Sequence, residues 1–312
     1  MALPTISSSR SGLLFNLNPG GLPFISDARG LTGNVWFVMT GGTDAVGYGR
    51  HPDAPFATID YAIGQCTANQ GDVIFVMPGH AETLATAGAI AADVAGVSII
   101  GLGQGANRPT LSLSATGSTI AVSAASVTFQ NLRVTSTVNE LVKIFNITAA
   151  DCTIDAVDYI DPGAAFETLQ FALTDSGADR LTIKNCVHYA STAGATAQLW
   201  IALVGCDQPR ILDNTFILKL ADAATSSVIN GDASVTMAEL GRNRIHLTGY
   251  SASLLSAVLM TSGATGIHYD SRIYADVAAV TSINDFATGA SFEVYCSNDA
   301  DKNGILDPVV GS

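Results

Sequence analysis

Read for hydrophobic and polar positions, the chain is a long series of short apolar runs, each cut by Gly, Ser, Thr, Asp or Asn. Strand-like texture dominates. NVWFVMT (residues 34–40) and GDVIFVMPG (71–79) are early examples. Between them, PFATIDYAIGQC (55–66) places Ile59, Ala62, Ile63 and Cys66 at helical spacing, which predicts one short helix. From Val97 to about Tyr274 a unit of β segment, turn residue and β segment recurs. It reads VTFQNLRV (127–134), CTIDAVDY (152–159), LTIKNCVHY (181–189), ILDNTFIL (211–218), LGRNRIHL (240–247) and IHYDSRIY (267–274). The turn is expected at Asn131, Ala156, Asn185, Asn214, Asn243 and Asp270, at intervals of 25, 29, 29, 29 and 27 residues.

A repeat of this length is one coil of a solenoid. No single coil can bury its apolar face, so the core forms only when coils stack, each strand pairing with the next about 4.8 Å away. Asn recurs because it tolerates the left-handed backbone that a corner requires and bonds its own main chain there. Aligned on the turns, the coils give an inward column of Leu132, Val157, Val187, Phe216, Ile245 and Ile273. The following residues, Arg133, Asp158, His188, Ile217 and His246, form the outward column. The expected fold is all-β, a right-handed parallel β-helix with one short N-terminal capping helix.

Residues 1–33 have a different texture, with turn-formers and a few isolated apolar anchors: Leu13, Leu14, Phe15, Leu22 and Phe24. No period is sustained there, so this segment is expected to be an extended docking arm whose anchors grip another protein. The organisation expected is therefore an arm (1–33), a β-helix (34–295) and an acidic C-terminal cap or tail (296–312).

The stretch at 35–83 resembles the opening of pectin-lyase-like β-helix proteins. The matching residues are Gly42, Asp44, Gly49, Pro55, Phe56, Thr58, Ile59, Ala62, Gly71, Asp72, Pro78 and Gly79. That resemblance implies an architecture shared by polysaccharide lyases, hydrolases, phage tailspikes and virion surface proteins, and it implies no particular activity. The Ala/Ser/Thr/Gly-rich style with only four lysines looks like bacteriophage structural proteins, a resemblance of texture.

Composition narrows the partners. With 48% hydrophobic residues the chain can build a large core, yet no run approaches the roughly 18 uninterrupted apolar residues of a spanning helix, so no membrane is expected. A net charge of −13 repels phosphate backbones, so no nucleic acid is expected either. Five widely spaced cysteines with no CxxC pair argue against a disulfide framework or zinc site. The N-terminal MALPTISSSRSG lacks the apolar core of a signal peptide, which fits synthesis in the host cytoplasm.

Candidate chemistry is sparse. The outward set Arg133, Asp158 and His188 offers a cation, an acid and a base, but no second carboxylate joins Asp158, so a solvent-facing charge ladder is the preferred reading. Asp155, Asp158 and Asp161 run into a turn, where acids are ordinary. His80 beside Glu82 reads as a cap before it reads as a catalytic pair. The glycines Gly101, Gly103 and Gly105 follow a strand without a helix after them, which fails the dinucleotide-binding context. Asn146 heads a glycosylation sequon that has meaning only on secretion. Near the C-terminus, Asp299, Asp301, Asn303, the Ile305 carbonyl and Asp307 match the first part of a calcium loop, with Gly304 at the bend and Val310 where the last acid belongs. Calcium is the one cofactor candidate, set against a plain acidic turn.

No catalytic residue is assigned, and the chain is expected not to be an enzyme. The expected function is that of a phage virion structural protein, a capsid decoration or head spike located on the virion. It would be held by residues 1–33 to the major capsid protein or another virion protein and assembled as a homotrimer. The alternatives are a tailspike or fibre module that binds host polysaccharide, for which aromatic platforms look scarce, and a polysaccharide lyase or hydrolase.

Overall fold

A computed structural model of the protein describes residues 33–161, 163, 167–193, 196–221, 226–247, 256–275, 284–298 and 305–306. The chain is a right-handed parallel β-helix. Strands one coil apart lie parallel and in register, beginning with Val35–Val38 on Val73–Val76 and Val73–Val76 on Ser98–Gly101, and ending at Ser291–Asn298. Three faces result. An 18-stranded sheet bends at a corner into a first face, which includes Thr128–Gln130 and Thr182–Lys184, and a second face, which includes Arg133–Ser136 and Val187–Ala190. An 8-stranded sheet, running from Ile90–Ala92 to Asn284–Phe286, is the third. The stack thus starts well before Val97, where the repeat becomes legible in sequence.

The corner between the first and second faces is set by single residues in the left-handed region. Asn131, Ala156, Asn185, Asp213, Arg242 and Asp270 have φ between 50° and 57°. This corrects two expected turn positions. Asn214 and Asn243 sit one residue further on, buried inside the coil, where they form a ladder. Asn243 Oδ1 accepts from Asn214 N and Nδ2, both at 3.1 Å, and Asn214 Oδ1 accepts from Cys186 N at 3.0 Å. Their amides donate to the Ile183 and Ile211 carbonyls at 3.0 and 2.8 Å. A second left-handed corner, unseen in the sequence, joins the third face to the first at Asn69, Gly96, Ser126, Asp151, Arg180, Gln208 and Met237, with φ between 50° and 75°.

The one-residue slip also redistributes the columns. Inward beside the corner stand Leu132, Val157, Cys186, Asn214, Asn243 and Ser271, and two residues on stand Val134, Tyr159, His188, Phe216, Ile245 and Ile273. Val187, expected inside, is 42% exposed, and His188, expected outside, is fully buried. Strand sides alternate, so a shift of one exchanges the faces. The core is one contiguous cluster, threaded by rings in edge or stacked contact: Phe129 to Phe145, Phe145 to Phe171, then Phe171 to His188 and His188 to Phe216, at 4.3–5.4 Å.

The N-terminal end of the stack is closed edge by edge, as an exposed ladder of unpaired amides requires. The first strand bonds to the loop behind it through Phe37 N to Gly49 O at 2.8 Å and Phe56 N to Phe37 O at 2.8 Å. Thr40 Oγ1 accepts from Ala81 N at 2.7 Å at the start of the second face. The helix Ile59–Ile63, N-capped by Thr58, covers the third face, and its Asp60 carboxylate accepts from Ala91 N at 2.8 Å. Asp44 of the glycine-rich loop accepts from Ala57 N and Thr58 Oγ1, both at 2.8 Å, and so fixes the helix entry.

Candidate functional site

The second face carries two outward rows. In one, Ile160, Tyr189, Ile217, His246 and Tyr274 stand on five consecutive coils, each paired with the next. Cross-coil pairing fixes their spacing near 4.8 Å, so the row is about 19 Å long. Ile160, Tyr189 and Tyr274 are 37%, 44% and 47% exposed, and the His246 and Tyr274 rings meet edge to face at 4.6 Å. The neighbouring row runs Asp158, Val187, Thr215, Arg244 and Arg272. Arg244 and Arg272 are exposed, directly opposite one another, and form no ion pair among the described residues. The result is an aromatic and aliphatic strip, bordered at one end by two like charges whose mutual repulsion no ion pair among the described residues relieves.

The first face is charged in the opposite manner, with cations and acids matched across coils. Arg210 bonds Glu239 at 2.6 Å, and Tyr269 OH donates to Glu239 at 2.7 Å while accepting from Arg242 at 2.9 Å. Arg242 also grips Asp213 through two bonds of 2.6 and 2.7 Å. The guanidinium holds the Asp213 carboxyl below its ordinary value. Burial pushes Glu239 up, but its bonds to Arg210 and Tyr269 outweigh this and hold it low. The Tyr269 phenol is pushed up, by burial first and then by the Glu239 carboxylate. A phenol held protonated and a carboxylate held ionised by paired arginines make a locked network, poorly placed to exchange protons.

The outward charge ladder expected of Arg133, Asp158 and His188 is not formed. Arg133 and Asp158 are paired across coils, but Asp158 forms its ion pair with Arg108 and accepts from Val187 N at 3.1 Å, while His188 points into the core. The three acids of DAVDYID separate as well. Asp155 accepts from Asn185 at 2.8 Å and lies 3.6 Å from Lys184, whereas Asp161 is buried and accepts from Ser191 N at 3.0 Å. His80 is buried between Glu82 (3.2 Å) and Thr40 (3.4 Å), and Glu82 also accepts from Ile59 N at 3.2 Å, so the pair ties the helix start to the second face. Gly101 packs so tightly that a Cβ there would run into the Asn131 carbonyl, which accounts for that glycine by packing. Asn146 stands in the third-face strand Phe145–Ile147.

Trp36 and Trp200 are buried, and of the described tyrosines Tyr189 and Tyr274 stand outward on the second face, while Tyr269 and Tyr295 pair on the first. All five cysteines are free, and burial pushes the Cys186 thiol up to about 12, which makes it unreactive. Leu13, Leu14, Phe15, Leu22 and Phe24 of the arm lie outside the described residues, as do Asp299, Asp301, Asn303 and Asp307. Ile305 belongs to a two-residue strand that pairs antiparallel with Ser297–Asn298. Among the described residues no cluster of His, Cys, Asp or Glu is arranged to hold a metal ion, and no helix is long and apolar enough to cross a membrane.

No protein-family model matches the chain, and no curated protein matches it in sequence. Among solved structures it is similar to a rhamnogalacturonan lyase, at 14% identity and a TM-score of 0.46, covering 84% of this chain and 67% of that one. The likeness is one of fold. The expectation that the chain is not an enzyme is withdrawn: the similar structure is named a lyase, and a shared fold decides activity in neither direction.

Proposed function

We propose that the protein is a β-helical surface component of a bacteriophage particle and that it engages polysaccharide along its second face. The observation that carries the glycan reading is the row Ile160, Tyr189, Ile217, His246 and Tyr274. A rung spacing of about 4.8 Å is close to the rise per unit of an extended glycan, so a chain laid along the row meets one side chain per unit, with rings at Tyr189, His246 and Tyr274 and isoleucines at Ile160 and Ile217. Arg244 and Arg272 add the charge preference. On a molecule of net charge −13, two exposed arginines that have no acidic partner among the described residues favour a polymer that brings its own carboxylates or sulfates.

The virion assignment draws support from the lysine-poor, Ala/Ser/Thr/Gly-rich composition. In this reading residues 1–33 attach the protein to the major capsid protein or another virion protein, and three copies pack side by side.

Affinity electrophoresis through gels carrying an acidic or a neutral polysaccharide tests the glycan reading. Retardation by the acidic polymer should weaken at least tenfold in Tyr189→Ala/Tyr274→Ala, which is about 1.4 kcal/mol. It should fall further with salt in the parent chain than in Arg244→Gln/Arg272→Gln. Equal retardation of parent and tyrosine variant, or none at all across polymers of both kinds, rules the face out.

A further inference from the structure

His188 is the one fully buried histidine on the inward row of the second face, and its surroundings are unusual for an ionisable group. Phe216 stacks on it at 4.7 Å and 11°, Phe171 meets it edge-on at 4.3 Å, and Trp200 lies at 5.9 Å and 89°. Tyr159 precedes it in the same row. Neither ring nitrogen has a hydrogen-bond partner, and the Trp200 indole N–H has none either. Among the described residues the titratable side chains inside the coil beside it are Tyr159, whose hydroxyl is already donated to Thr168 at 3.0 Å, and Cys186 on its own strand, whose thiol donates to the Lys184 carbonyl at 3.2 Å. Among the described residues no carboxylate or cation faces it from the core side: Asp158 and Arg108 pair on the outside of the neighbouring coil. A packing role alone would be met better by Phe or Leu, because two buried unpaired nitrogens cost stability.

We propose that His188 is an acid-sensitive latch in the solenoid: on acidification, the imidazole takes up a proton by leaving the core, and the strand Val187–Ala190 parts from its neighbours. Among the described residues the imidazolium has no anion and no acceptor where it stands, so the closed coil cannot accommodate it. Burial pushes the ring down to about 3, whereas in an opened coil it titrates near the ordinary value of about 6.5. Above about pH 6.5 both forms bind the same number of protons and the coil stays shut. Below it the opened form holds one more proton than the closed form, so opening gains about tenfold per pH unit until the buried value is reached. The rings that surround His188 belong to three coils and to both the second and third faces, so the opening involves a local block.

Backbone amide exchange on the full chain reads this directly, after correction for the intrinsic pH dependence of exchange. Between pH 6 and pH 4, amides in Val187–Ala190, Asp158–Ile160 and Thr215–Leu218 should lose protection by on the order of tenfold per unit in the parent protein. In His188→Phe, and in His188→Leu should the larger ring prevent folding, the same amides should keep their protection. Flat protection in the parent overturns the proposal. So does an equal loss in either folded variant, since the proton would then be taken up elsewhere.

Discussion

At the first corner each coil spends one residue in the left-handed region, and the residues that do so are not equally suited to it. Asn131, Asn185, Asp213 and Asp270 are of the types that adopt it readily; Ala156, with φ 52°, is not. An alanine there bears a strain of roughly 1 kcal/mol and has no side-chain group to return the favour. Asn185 donates to Asp155 at 2.8 Å in the coil beneath, and Asn131 donates to the Gly101 carbonyl at 2.7 Å, so asparagine at this corner also ties coil to coil. Ala156→Asn should therefore stabilise the protein by about 0.5–1 kcal/mol. Urea denaturation of the two chains measures it, and an unchanged or lower midpoint contradicts the strain argument.

Single strands of three to five residues are too short to be specified by propensity, and here the register is set by what stacks above and below. The sequence revealed the coil length, the parallel stacking and the capping helix, because these rest on repeated hydrophobic positions. It misplaced the register by aligning on asparagine. Phe129, Ile154, Ile183, Ile211 and Leu240 are buried on the first face, and in each coil the corner falls two residues later. Alignment on these core positions puts the last corners at Asp213 and Arg242 and reveals Asn214 and Asn243 as interior. The second corner was illegible because its turn formers Asn69, Gly96, Ser126 and Asp151 give way to Arg180, Gln208 and Met237 in the later coils. The candidate glycan row was hidden by the same slip, which sent His188 outward and split the row that carries Tyr189 and Tyr274. The interior asparagines make a strong test of the corrected register. Asn243→Ala strips the Asn214 N–H and the Ile211 carbonyl of their partners inside the core and should cost about 2–4 kcal/mol. An asparagine at an exposed corner would cost well under 1 kcal/mol. Chemical unfolding separates the two outcomes.

On the scale of the whole molecule, a solenoid distributes its functions along its length, because every coil rests on its neighbours alone. The second-face row occupies the coils from Ile160 to Tyr274, and the N-terminal end is closed by contacts internal to residues 34–92. Under the proposed function, attachment and glycan contact are separable, one assigned to residues 1–33 and the other to the second face. A chain lacking residues 1–33 keeps Thr40, Asp44, Asp60 and the loop at Gly49 that close the first strands, so it should fold. Its retardation by acidic polysaccharide should equal that of the full chain. Binding to particles stripped of the protein should be lost, as followed by co-sedimentation. A shortened chain that still sediments with the particle would move the attachment from the arm to the coils. If it lost both activities while still melting as the parent does, the two could no longer be assigned to separate parts of the molecule.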